Sequence, residues 1–188
     1  AVTILALSTS SPALSFALVD GRRVLARHHE LIGRGHAEAL VPAIAALLGD
    51  RRADAVIVDV GPGSYTGIRI GIAAARALGV AWAVPVHGVS ALSLVAAQAF
   101  AADPGLAAVF ALIDAGRGHA AGGPVTPELV APAPALVSQL PAGAVPAGAG
   151  ALLVPGAVGR HDDHPDAAFA GHVPIAALLP PQALYAGD

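Results

Sequence analysis

The 188-residue chain contains no cysteine, no methionine and no lysine. Without cysteine, a disulfide framework, a zinc–thiolate centre and a cysteine nucleophile are excluded together. Without lysine there is no Schiff-base chemistry, no lysine clamp on a phosphate, and no Walker loop, which must close on Gly-Lys-Ser/Thr. All ten basic residues are arginine, and thirteen acidic residues bring the net charge to −3. A chain that grips nucleic acid alone usually carries a basic stripe instead. What the chain has in quantity is apolar: 55% of its residues, much of it alanine, with a mean hydropathy of +0.68. That is ample for a core, and the length suits one large domain or two lobes.

The longest uncharged window, between Arg76 and Asp103, is long enough to raise a bilayer span. Gly79, Pro85, His87, Gly88, Ser90, Ser93 and Gln98 interrupt it. It reads as a helix end, a buried strand and a second helix, with no membrane contact. No charged stretch leads into an apolar one at the start, so no signal peptide is expected and a cytoplasmic location is.

One stretch organises the rest: Gly61-Pro-Gly-Ser-Tyr-Thr-Gly-Ile-Arg-Ile-Gly71. It follows an apolar run at 54–60 that reads as a strand and leads into a helix that ends near Gly79. Gly61, Pro62 and Gly63 break the strand, and Ser64 or Thr66 can cap the helix. Such a junction invites an anion, yet the dinucleotide fingerprint fails. Gly61, Gly63 and Gly67 are spaced Gly-x-Gly-x-x-x-Gly, and no acidic residue stands about 20 positions on. Gly67, Gly71, Ala75 and Gly79 instead recur every four residues, one stripe of small side chains along a helix. A thin stripe admits another backbone along the i±4 ridge. Packing within the domain and packing against a partner are both open readings.

Elsewhere, runs at 2–8, 14–19 and 23–30 predict a three-stranded meander, with Asp20-Gly21 as a hairpin signal. The period of Ala37, Leu40, Val41, Ile44, Leu47 and Leu48 predicts a helix from His36. Val84 to His87 is a short strand candidate, Ser90 caps a helix over 91–102, and 106–113 is a buried strand. The order β-β-β-α-β-α-β-α-β predicts an α/β domain with a mixed sheet. Beyond Gly116 only Leu152 to Val154, as a strand, and Ile175 to Leu179, as a helical turn, stand out. Residues 1–102 are read as one lobe and 103–188 as a smaller, degraded one.

The hairpin around Ile4-Leu-Ala-Leu-Ser-Thr-Ser10, His36-Ala-Glu38 and the Gly61–Gly71 run together resemble the TsaB (YeaZ) family. Pro85-Val-His-Gly-Val-Ser-Ala-Leu92, Ala111-Leu-Ile-Asp-Ala115 and, more loosely, Pro180-Pro-Gln-Ala-Leu-Tyr185 extend the resemblance. It implies an actin-like (ribonuclease H-like) fold with a second, reduced lobe. It also implies a non-catalytic scaffold for tRNA threonylcarbamoyladenosine synthesis. That scaffold is a homodimer alone, pairs with the catalytic paralogue TsaD, is joined by the ATPase TsaE, and meets tRNA only through the complex. No cofactor is expected in the isolated chain, and a nucleotide at the heterodimer junction stays open. The partner contact is implied on the first two helices: His36, Leu40, Ile44, Leu47, Thr66, Gly67, Ile70, Gly71, Ala74, Ala75 and Leu78.

Two departures are visible. Ser8 stands where the family usually has Asp, and Asp114-Ala-Gly-Arg117 keeps only part of an Asp-Ala-Arg-Arg motif. Ser8, with the missing lysine, argues against independent phosphoryl transfer, the rival reading as a small-molecule kinase. A metallopeptidase, the other rival, needs converging ligands. His36 stands alone, His28 and His29 face opposite sides of a strand, and His161 to Asp166 reads as a solvated turn rather than a ligand set. Ser64 and Ser90 lack a catalytic partner, and no Gly-x-Ser-x-Gly elbow exists. Arg69, a cation in the first turns of a helix, sits against the dipole. It pairs with an anion or a partner's carboxylate in one reading, and in the other is a surface arginine or makes an internal pair with Asp59 or Asp114.

Overall fold

The computed structural model describes residues 2–157 and 163–186. Strands β1 (Thr3–Ser8), β2 (Ala13–Asp20) and β3 (Arg23–Leu31) form the expected antiparallel meander. The chain then crosses through helix α1 (His36–Leu48) to β4 (Ala55–Asp59), parallel to β1. Helix α2 (Tyr65–Trp82) and strand β5 (Val86–Val89), parallel to β4, complete a five-stranded sheet of order β3-β2-β1-β4-β5. A second sheet, order β8-β7-β6-β9, is built from β6 (Val109–Asp114), β7 (Ala120–Val125), β8 (Ala135–Val137) and β9 (Pro146–Ala147).

Strand alternation decides which side each helix takes. Leu5 and Leu7 of β1 join Leu40, Ile44, Ile68 and Ile72 under α1 and α2. Ala6, between them, faces the opposite side and packs with α3 (Ala91–Ala102). Helix α3 also touches Val109, Ala111 and Ile113 of the second sheet. A helix covered by a sheet on each side must be apolar all round, and eight of its residues are buried. This is the mixed α/β architecture that the sequence predicts, with the strand expected over 106–113 placed in the second sheet rather than the first.

The differences have local causes. Strand β5 begins at Val86 rather than Val84 because Pro85 offers only its carbonyl, which accepts from Val56 N at 2.9 Å. Strand β7, Ala-Ala-Gly-Gly-Pro-Val, has turn-like composition and forms because β6 pairs along all six of its residues, tertiary context overriding propensity. The 152–154 stretch lies largely in a 3₁₀ helix, Ala149–Leu153, not a strand. Ile175–Ala177 is a 3₁₀ turn, as the sequence suggests. In the polar 161–166 stretch, His161 and Asp162 lie outside the described residues. Asp166, expected in a solvated turn, is only 2% exposed. It caps the 3₁₀ helix Ala167–His172 through Ala168 N at 2.9 Å, accepts from Ser15 Oγ and pairs with Arg27.

The small-residue stripe of α2 faces inwards. A Cβ on Gly67 would overlap the Thr9 carbonyl oxygen, and one on Gly71 would stand 2.5 Å from Thr9 Oγ1. Ala75 is fully buried, and Gly79 leaves room for the Val86 side chain. The stripe therefore meets the chain's own β1–β2 loop and sheet, which corrects the partner-facing reading of Gly67, Gly71 and Ala75. Gly71→Leu is expected to overpack this seam, and Ala75→Arg to bury an unpaired charge, each costing at least about 3 kcal/mol. Urea unfolding with near-UV circular dichroism checks this: both variants should unfold far earlier than wild type, whatever their state of association.

Candidate functional site: the junction after β4

Strand β4 ends in Asp59, a fully buried carboxylate. It accepts from Ser8 Oγ at 2.7 Å, Ser10 Oγ at 2.5 Å and Gly61 N at 2.8 Å. Burial raises its pKa to about 6, overcoming the three donors that favour the charged form. These bonds tie the end of β1 and the loop after it to the start of the signature turn. The tie continues outward: Ser64 N donates to the Ser10 carbonyl at 2.7 Å, and Thr9 Oγ1 donates to the Gly67 carbonyl at 2.7 Å. Ser64 caps α2 by accepting from Gly67 N at 3.2 Å. Ser90 is 2% exposed; its hydroxyl donates to the Gly61 carbonyl and accepts from Leu92 N. Both serine hydroxyls thus bond backbone groups.

Above this knit lies a cleft of about 670 Å³, with a lining that includes Ser10, Ser11, His36, Glu38, Thr66 and Arg117. His36 is nearly buried, and its Nε2 donates to the Ala13 carbonyl at 3.2 Å, fastening α1 to β2. Asp114 sits on the cleft wall and accepts from Gly116 N at 2.7 Å. Among the described residues no three His, Asp or Glu side chains gather as a metal set. The cleft can offer hydroxyls, backbone amides and mixed charges.

Arg69 pairs with neither Asp59 nor Asp114. Its guanidinium lies 3.8 Å over the Tyr65 ring, and its Nε donates to Tyr185 Oη at 3.0 Å. The Tyr65 and Tyr185 rings stack at 5.1 Å. Ring and hydroxyl supply the stabilisation that the helix dipole withholds from a cation there. Tyr185 arrives on a C-terminal strap that crosses the sheet edge. Gly88 and Leu179 exchange backbone bonds of 2.6 and 2.9 Å, Leu184 N donates to the Val60 carbonyl at 2.7 Å, and Arg76 Nη2 donates to the Pro181 carbonyl at 2.8 Å. Gly61 and Gly88 are where the strap comes closest: a Cβ there would stand 2.6 Å from Leu184 O and 2.5 Å from Pro180 O. The strap's role escaped the sequence reading; its only trace was the Pro-Pro-Gln-Ala-Leu-Tyr185 run.

The expected partner residues divide by burial. Leu40, Ile44, Gly67, Gly71 and Ala75 are buried within the chain, as is His36, so none of these offers its side chain to a partner in this arrangement. Leu47, Ile70, Ala74 and Leu78 are half-buried and Thr66 is exposed. The outer face belongs to their neighbours, Ala37, Val41 and Ala45 of α1 with Ala73, Ala77 and Val80 of α2. Val41 is 58% and Val80 84% exposed, beside a groove of about 320 Å³ between Val41, Leu48, Leu78 and Trp82. On α1 these positions stand one residue after His36, Leu40 and Ile44, and on α2 Ala73 and Ala77 stand one before Ala74 and Leu78, an outer register that the helical period could have given from the sequence.

A mixed five-stranded sheet, a second smaller sheet and a hydroxyl-lined cleft at their junction define an actin-like α/β protein. The family model for TsaD, tRNA N6-adenosine threonylcarbamoyltransferase, matches residues 28–124. The chain is 34% identical over 123 residues to the tRNA threonylcarbamoyladenosine biosynthesis protein TsaB of Bacillus subtilis, covering 63% of this chain and 52% of that one. Escherichia coli TsaB is 38% identical over 121 residues, 62% of this chain and 52% of its own. The solved structure of YeaZ from Pseudomonas aeruginosa superposes with a TM-score of 0.76 at 31% identity, covering 90% of this chain and 88% of that one. The chain belongs to the TsaB (YeaZ) family. It spans about half the length of the curated relatives it matches. Among the described residues no helix is long and apolar enough to cross a membrane.

Asp59 gives the junction a pH signature. Its folded pKa of about 6 lies above the ordinary 3.8, so its contribution to stability is complete below pH 4 and is lost as pH rises through 6. At about 1.4 kcal/mol per unit, the loss is about 3 kcal/mol. Asp59→Asn should remove that slope. Chemical unfolding of both proteins from pH 4 to 7 should show wild type losing ground to the variant by that amount, and parallel profiles would refute the assignment.

Proposed function

We propose that this chain serves tRNA threonylcarbamoyladenosine synthesis as a non-catalytic scaffold, docking a TsaD-like catalytic protein through the outer face of α1 and α2. The observation that carries the reading is the face itself: Val41, Ala45, Ala73, Ala77 and Val80 exposed together, with a groove alongside. Val41 and Ala45 line the groove, and apolar side chains left exposed on two packed helices suit an interaction site. The names of the relatives support the pathway, and the likeness of this chain to the TsaD family model suits a pairing between related folds. A second copy of the chain occupies the same face when the partner is missing. In this reading the isolated chain needs no cofactor, and a nucleotide enters only where the partner closes over the cleft.

Mixing the chain with a TsaD-like protein from the same genome and measuring mass by sedimentation tests this. A stable heterodimer at micromolar concentration is expected. Val41→Glu and Ala77→Glu should abolish it while shifting monomer stability by no more than about 0.5 kcal/mol, as exposed substitutions usually do. No association of the wild-type pair would sink the proposal.

A further inference from the structure

We infer that Tyr65, Arg69 and Tyr185 form the anchor of the partner surface, a preorganised stack that recognises a carboxylate-bearing protein partner. The inference rests on the docking face proposed above and adds the residues and chemistry of recognition. Arg69 is exposed yet fixed, between the face of one ring and the hydroxyl of another. Its Nε is committed to Tyr185, while its two Nη groups make no bond within the described chain. A guanidinium so held has already lost much of its freedom, and meeting a carboxylate costs it little more.

Among the described residues no carboxylate pairs with it. Helix α2 contains no acidic residue, nor does the strap from 174 to 186. Arg76, two turns further along the same ridge and roughly 10 Å away, is exposed and likewise bonded only to the strap backbone. The stack is continuous with the apolar row, since Arg69, Ala73 and Ala77 follow one another at four-residue spacing on the exposed side of α2. Tyrosine and arginine beside a dry apolar patch make the composition in which binding energy concentrates. Tyr65, 55% exposed, still offers ring surface to cover.

The same chemistry would suit a single-stranded nucleic acid, with bases on the rings and phosphates on the arginines. The net charge of −3 and the presence of only two arginines on this ridge favour protein.

The test uses the full chain and the TsaD-like partner, with affinity measured by calorimetry at 50 and 300 mM salt. Arg69→Gln and Tyr65→Ala should each weaken association at least tenfold, with Arg69→Gln also flattening its salt dependence. Tyr185→Phe, which keeps the ring stack but releases Arg69 Nε, should fall between them and wild type. Melting curves of each variant separate loss of recognition from loss of the strap. Should Ala77→Glu abolish binding while Arg69→Gln and Tyr65→Ala bind like wild type, the anchor is refuted and the docking face stands. Should Ala77→Glu also bind normally, the face itself is wrong. If Arg69→Gln leaves the partner untouched but weakens binding of a fluorescent tRNA anticodon stem-loop, the surface belongs to RNA and the inference is overturned.

Discussion

The fold of the first sheet depends on how closely α2 can lie against it. At Gly67 and Gly71 the helix approaches the Thr9 backbone and side chain so nearly that even a methyl group has no room. Every other feature of the junction follows from that approach. The Thr9 hydroxyl can reach the Gly67 carbonyl, Ser10 can receive Ser64 N, and Asp59 can gather both loops on one carboxylate. The three glycines of the helix, each costing roughly 1 kcal/mol against alanine, are offset by this seam. They answer a need within the chain, and that leaves the opposite side of α2 available for a partner.

Sequence periodicity carried the fold a long way and the surface only half way. The meander, α1, α3 and the strand–turn–helix junction were legible because burial on one side imposes a clean period of 2 or 3.6. Strands β7 to β9 were not, because Gly122, Gly123 and Pro124 are residues of turns and become a strand only by pairing with β6. The stripe of small residues on α2 was visible as a stripe, but periodicity is blind to which side of it is occupied. A thin face fits a foreign backbone and a home sheet equally well, and only coordinates choose. Arg69 shows the same limit in electrostatics. Its position against the dipole announced an unseen partner, and that partner proved to be an aromatic pair, Tyr65 one turn back and Tyr185 from 116 residues away.

The strap changes how the signature run should be understood. Gly61 belongs to the turn by sequence, yet its missing side chain also admits Leu184, just as that of Gly88 admits Pro180. Tyr65 and Arg69, in the same run, hold the strap's last aromatic ring. One side of the motif therefore grips the β1–β2 loop and the other grips the C-terminal segment. A phosphate loop would leave its amides facing an empty cradle. Here Gly61 N, Ser64 N and Gly67 N bond acceptors of the chain itself, so these three amides tie the turn to its surroundings.

The departure at Ser8 reads differently in this light. The family pattern places a carboxylate on the first strand, and its replacement by serine looks, in sequence, like the loss of a functional group. The geometry shows a carboxylate beside Ser8, supplied by Asp59 from the adjoining strand and 2.7 Å from the Ser8 hydroxyl. Two carboxylates at that separation in a fully buried site could not both ionise, so an acid at either position calls for a neutral donor at the other. Ser8 is that donor. With its carboxylate enclosed by two hydroxyls and an amide, the chain keeps a buried charge carrier as a structural tie between strands. Asp59 is therefore set apart from Glu38 and Asp114, the exposed acids that line the cleft.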